Sequence, residues 1–182
     1  MSGTDNTQLQ DNEEEKLPVV DTEGNVKGCA SRGTCHDGSM LLHPVVHLHV
    51  SDAAGRLCLQ LRPLWKKVQP GKWDTAVGGH VDYGETIDAA LHREAREELG
   101  LDIGALEIKP VTPYVFQSRT ERELVYPFMV CLPEGKELSP SAEVEAIRFW
   151  TQAEIAEAIG TGAFTPNFES EYRQLLLSRQ AD

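Results

Sequence analysis

The chain has 182 residues, of which 40% are hydrophobic, and a formal net charge of -12. That length is one domain's worth with enough apolar material for a core, and the negative balance weighs against binding nucleic acid through a broad basic surface. No apolar run approaches the roughly 18 residues that span a bilayer, and MSGTDNTQLQDNEEEKLP has no apolar stretch behind a basic start, so the expectation is a cytoplasmic protein without membrane contact.

In chain order, residues 1–16 set Asp5, Asp11, Glu13, Glu14 and Glu15 against Lys16. They are expected to form a disordered acidic tail ahead of a single domain over 17–182. LPVVDTEGNVKGCA reads as a short hairpin turning at Thr22 to Asn25. In CASRGTCH, Cys29, Cys35 and His36 are spaced too loosely for a zinc site. The four cysteines form no CxxC pair, and reduced thiols are expected. LLHPVVHLHV, SDAAG and RLCLQLR read as strand, turn, strand. His43, His47 and His49 share one parity of the first strand, opposite Val46, Leu48 and Val50, and are expected on a half-exposed face.

PLWKKVQPGKWD is a loop with two prolines and a glycine. Arg62, Lys66, Lys67 and Lys72 lie in or next to it, as contacts to substrate phosphates or as ordinary solvated cations. TAVGGHV is a short strand ending in glycines. A helix follows from about Thr86, a good N-cap, to Leu99, with Gly100 at the C-cap position. Strand-like runs come next: ALEIKPVTPYVF, ELVYPFMVCL and AIRFW. TQAEIAEAIG reads as a helix capped by Thr151, and NFESEYRQLLLSR as a last helix. The order suggests an α+β or α/β sandwich with a mixed sheet. Trp65, Trp73, Tyr114 and Phe116 are expected in packing rather than in stacking on a base.

The helix after Thr86 is unusually acidic. At about 100° per residue, Glu97 and Glu98 lie roughly 60° and 40° to either side of Glu94. Ile87, Leu91, Ala95 and Leu99 form the stripe that must face the core, and Glu98 falls angularly between Ile87 and Leu91. Like charges so placed repel one another beside a low-dielectric interior. Arg93 and Arg96 can neutralise one or two of them. A hard divalent cation, Mg²⁺ or Mn²⁺, suits the rest, because such ions take oxygen ligands and substrate phosphates. Gly78, Gly79 and Gly84 add the tight turns and close backbone approach of a ligand loop.

Residues 79–101, GHVDYGETIDAALHREAREELGL, match the Nudix box GX5EX7REUXEEXGU at every fixed position. Gly79 opens it, and Glu85, Arg93-Glu94, Ala95, Glu97-Glu98, Gly100 and Leu101 follow. The chain therefore resembles the Nudix superfamily. The resemblance implies the Nudix fold, a mixed sheet sandwiched between helices with the box as loop–helix–loop. It implies that Glu94, Glu97 and Glu98 ligate metal with the carbonyl of Gly78, that Glu85 is an auxiliary metal group, and that Arg93 orients these carboxylates.

The stretches HPVVHLHV, LCLQLR and PGKWDTAVGGHVDYGE resemble the isopentenyl-diphosphate-isomerase-like branch. True isomerases use a cysteine just before the box and a glutamate on a later strand. Here Gly78 stands at the cysteine's place, and Leu124 rather than Glu123 aligns with the glutamate. Metal-assisted hydrolysis of a diphosphate, in a nucleoside diphosphate linked to another moiety, is therefore expected. Glu97, Glu98, Glu143 and Glu145 are candidates for the general base, and Arg62, Lys66 and Lys72 for substrate contacts. The alternatives are an isomerase and a non-catalytic sensor of nucleotide derivatives. The partner expected is a small-molecule diphosphate, and a homodimer is left open.

Overall fold

The computed structural model describes residues 11–179. The chain begins with a hairpin of β1 (Lys16–Val20) and β2 (Val26–Ser31), followed by the single turn α1 (Arg32–Cys35). Strands β3 (Leu42–Ser51), β4 (Leu57–Leu61), β5 (Trp73–Thr75) and β6 (Val77–His80) lead into helix α2 (Ile87–Leu99). Strands β7 (Lys109–Pro110), β8 (Tyr114–Gln117), β9 (Arg122–Cys131) and β10 (Ala146–Trp150) precede α3 (Gln152–Ala158) and α4 (Pro166–Arg179). The expected single run from Ala105 to Phe116 is broken into β7 and β8, which pair with opposite ends of β9.

The main sheet is mixed. Its path is β10-β4-β3-β9-β7, with β5 on β4, β6 on β3 and β8 on β9. The β3–β9 pairing is parallel and the others are antiparallel. β3 is buried along all of its 10 residues because the sheet is covered on both faces. On one face Val46, Leu48 and Val50 pack with Ala90, Leu91, Ala95 and Leu99 of α2. On the other, Leu57 and Leu59 of β4 pack with Trp150, Ile155, Phe164, Phe168 and Tyr172.

This covering corrects the expectation for the histidines: His43, His47 and His49 are buried rather than half-exposed. α4 lies over His47 and His49 and supplies Glu171, whose carboxylate meets both rings.

The tail is also placed differently where it is described. Residues 1–10 lie outside the described residues. Residues 11–16 are held against the domain: Arg32 N–H donates to the Glu15 carbonyl at 2.8 Å and Gly33 N–H to the Glu13 carbonyl at 2.9 Å. Asp11 accepts from the Arg32 guanidinium at 3.0 Å and from Lys66 Nζ at 3.3 Å.

Candidate active site

α2 forms where its caps demand. The Thr86 hydroxyl accepts from Ala89 N–H, and Gly100 takes the left-handed conformation (φ 59°) that ends the helix. The helix thereby faces its acidic arc toward the end of β6. A cavity of about 390 Å³ lies there. Glu94, Glu97, Glu98, Arg93, Gly78 and Gly79 all line it.

Glu98 is only 7% exposed. Its Oε2 accepts from Gln60 Nε2 at 2.9 Å and from Gly78 N–H at 3.0 Å. Burial, then the neighbouring Glu94 charge, push its carboxyl up to about 8. Burial likewise raises Glu94 to about 7, against the pull of Arg93. Two carboxylates with these shifts lack enough positive charge. A Cβ on Gly79 would overlap the Glu94 carboxylate, so only glycine lets the strand approach this closely. The donor chemistry and the tight cradle fit a hard divalent cation.

Arg93 braces the acids. Its Nε and NH2 reach Glu85 at 2.9 and 2.8 Å, and NH1 reaches Glu94 at 2.7 Å and Glu97 at 3.1 Å. NH2 also donates to the His80 carbonyl at 2.9 Å. Glu85, expected as an auxiliary metal group, is paired here with protein donors. Arg93 and the Asp82 N–H take its carboxylate, and it does not line the cavity. Among the cations, Lys66 lines the cavity, flanked by Asp11 and Glu143. Arg62 lines it too, but its guanidinium holds the Val68 carbonyl and Asp74. Lys72 does not line it. Of the candidate bases, Glu97, Glu98 and Glu143 line the cavity and Glu145 does not.

A second cluster went unread in the sequence. One ligand atom each from His36, His43, His80 and Glu123 lies within 4.8 Å of the others. The His43 Nδ1 faces the Leu41 carbonyl at 3.0 Å, leaving a buried Nε2 without a partner among the described residues. His36 Nδ1 is 2.8 Å from the Arg32 carbonyl, and its Nε2 is 3.3 Å from both His80 Nε2 and a Glu121 oxygen. Burial holds His43 down at about 4 and His80 well below the usual range, so these rings are neutral and their lone pairs available. Burial and then Glu121 raise Glu123 to about 8. Imidazole nitrogens with a carboxylate suit a transition ion.

His36 thus joins His43 and His80 instead of Cys29 and Cys35, and β9 supplies the carboxylate of Glu123. Glu123, not Leu124, is the residue of β9 that lines the cavity; Leu124 is buried among Val20 and Leu42. His36, His80, Glu121 and Glu123 share the cavity with the acidic helix.

A hydrogen-bonded network stands behind His47 and Asn167, which line the cavity. The Glu171 carboxylate meets His47 Nδ1 at 2.7 Å, His49 Nε2, and the Tyr114 hydroxyl at 2.5 Å. Tyr114 also reaches Asn167 Oδ1 at 2.9 Å, and Asn167 Nδ2 donates to Glu123 at 3.2 Å. Burial opposes charge on both partners, but the pairing prevails: His47 is pushed up to about 9, and Glu171 is held well below the usual carboxylate range.

A family model described as the NUDIX domain matches residues 41–168. A protein named isopentenyl-diphosphate Delta-isomerase from Leifsonia xyli subsp. xyli is 29% identical over 156 residues, covering 84% of this chain and 83% of that protein. One of the same name from Brevibacterium linens is 30% identical over 166 residues, covering 88% and 91%. The crystal structure of DR0079 from Deinococcus radiodurans superposes with a TM-score of 0.75 at 24% identity, over 88% of this chain and 98% of that one.

Proposed function

From a chain that belongs to the NUDIX family and sits in its isopentenyl-diphosphate-isomerase-like branch, we propose hydrolysis of a diphosphate bond in a small molecule, with Mg²⁺ or Mn²⁺. The observation that carries this reading is Glu98, a nearly buried carboxylate beside a second one on the wall of a cavity that Lys66 also lines.

Glu94, Glu97 and Glu98 would hold the divalent ion, with the Gly78 edge against them. When bound, such an ion neutralises phosphate oxygens and lowers the pKa of a coordinated water. The protein's own groups do the rest. Gln60 and the Gly78 N–H fix the rotamer of Glu98. Arg93 NH1 bridges Glu94 and Glu97, both of which line the cavity. Arg32 and Lys66 offer cationic groups on the same wall for the phosphates. Glu97, Glu98 and Glu143 are within the cavity to take the proton of the attacking water. The His36, His43, His80 and Glu123 cluster would hold a further ion of transition type.

Isomerisation is the second reading, favoured by the names of the relatives. It needs a thiol at the reacting carbon, and no cysteine lines the cavity. Cys58 lies in the core, where burial pushes it up to about 12.

The test is a panel of diphosphate compounds incubated with the full chain and Mg²⁺ or Mn²⁺, reading released phosphate or monophosphate. Metal-dependent release supports hydrolysis. Interconversion of isopentenyl and dimethylallyl diphosphates without release would establish the second reading.

A further inference from the structure

Two imidazoles of the histidine cluster are aimed by their own neighbourhood. His36 Nδ1 lies 2.8 Å from the Arg32 carbonyl and His43 Nδ1 3.0 Å from the Leu41 carbonyl, four and two residues back in the chain. A carbonyl only accepts, so each Nδ1 carries the proton and each Nε2 keeps its lone pair. The carboxylate of the cluster is held from far away. Glu123 Oε2 accepts from Asn167 Nδ2 at 3.2 Å, 44 residues distant and on α4, and no other donor reaches this carboxylate among the described residues. We infer that Asn167 is the positioning residue of the cluster, holding Glu123 where it can meet an ion beside the histidines, and that ion binding is thereby tied to the seating of α4; this rests on the reading of the cluster as an ion site.

The tether is anchored at its far end. The carboxylate accepts, so the Asn167 amide nitrogen faces Glu123 and its carbonyl faces Tyr114, whose hydroxyl is 2.9 Å away. Phe116 is the β8 residue opposite Glu123, and Tyr114, two residues before it, shares its face of the sheet. The Tyr114 hydroxyl also reaches Glu171 Oε2 at 2.5 Å. Glu171 follows Asn167 by four residues on α4, so both side chains lie on one side of the helix. Glu171 is 1% exposed and meets His47 Nδ1 at 2.7 Å and His49 Nε2. These rings stand on β3, the strand that also carries His43. The tether thus starts and ends on the sheet that builds the cluster, with α4 between.

Glu123 needs such a hold. It lies at the cavity wall with Glu121 two residues before it, and the Glu121 carboxylate is 3.3 Å from His36 Nε2. Two like charges repel, and an untethered Glu123 could turn into the cavity and leave the histidines to Glu121. The Asn167 N–H occupies one carboxylate oxygen. Oε1 has no protein donor among the described residues and stays open to the ion. Loss of a partner that orients a metal ligand typically costs ten- to a hundredfold in metal affinity.

The experiment uses the full chain with Co²⁺ as the probe, in excess Mg²⁺ to compete for the oxygen ligands of α2. Binding is followed by calorimetry and by the visible absorption of bound Co²⁺, and melting is measured separately in EDTA. Wild type should bind Co²⁺, and His43→Ala should abolish it. Asn167→Leu should weaken binding by about ten- to a hundredfold and alter the spectrum, with little change in the melting temperature in EDTA. Asn167→Gln, which keeps an amide N–H, should restore part of the affinity. Tyr114→Phe frees the amide from its other end and should weaken binding in the same direction by less, a second reading should Asn167→Leu fail to fold. Wild type without Co²⁺ binding, or with binding that survives His43→Ala, sinks the ion reading and this inference with it. Normal loading of wild type together with unchanged affinity and spectrum in Asn167→Leu and Tyr114→Phe overturns the inference alone. So does a fall in melting temperature with the affinity intact, which would make Asn167 a part of the fold only.

Discussion

Glu98 is a burden on the fold that the proposed reaction would put to use. It is a carboxyl group kept out of water beside Glu94, and burial pushes both groups up. Glu98→Gln retains the shape and a carbonyl for Gln60 and the Gly78 amide. In EDTA its melting temperature should hold or rise. Diphosphate hydrolysis should fall about a hundredfold or more. Full activity in that variant would remove Glu98 from the machinery. Gly79→Ala should behave in the opposite manner, since its methyl group must displace the Glu94 carboxylate. Melting temperature in EDTA and hydrolysis should both drop, and an unchanged melting curve would show that the strand yields. The three helix glutamates were legible because 100° per residue is enough to group them. Glu85 was not, because the sequence cannot say that Arg93 claims its carboxylate. The second cluster was still less legible. His36 caps α1, and His43, His80 and Glu123 come from β3, β6 and β9, which the β3–β6 pairing and the parallel register of His43 with Glu123 bring together.

Among the elements, α2 was readable to within a residue because its caps are local: Thr86 and Gly100 do their work within one turn. β3 was readable as a strand but not in its environment. The HxxxHxH pattern suggests a wet face, yet α4, more than a hundred residues later, covers it with a carboxylate. The same pairing makes stability depend on pH. Burial alone would lower the His47 pKa, but Glu171, with Asp74 and Glu123 further off, raises it to about 9, from about 6.5 in an unfolded chain. A pKa raised by folding stabilises fully below the unfolded value and progressively less as pH rises through the folded one. The melting temperature should therefore fall between about pH 6.5 and 9. Glu171→Gln, which also leaves His49 and Tyr114 with a neutral partner, should be less stable at pH 6 and flatter across that range. A wild-type curve already flat there would mean that His47 is neutral in the folded state.

At the scale of the molecule, the charge of -12 is unevenly used. No helix among the described residues is long and apolar enough to cross a membrane. Residues 11–16 are held against the domain, where Asp11, with its side chain 7% exposed, lies between Arg32 and Lys66. Those two cations also line the cavity. An incoming diphosphate would therefore not find vacant positive charge but a carboxylate already in residence, and its binding would be an exchange of one anion for another. Exchange releases few small ions, so the affinity for substrate should depend only shallowly on ionic strength, whereas filling bare cations displaces their counterions and depends on it steeply. Measured from 50 to 500 mM salt on the usual range of such assays, KM should rise little in wild type and distinctly more in Asp11→Asn. Identical slopes would mean that the substrate never meets those two cations. Otherwise the protein carries its own electrolyte.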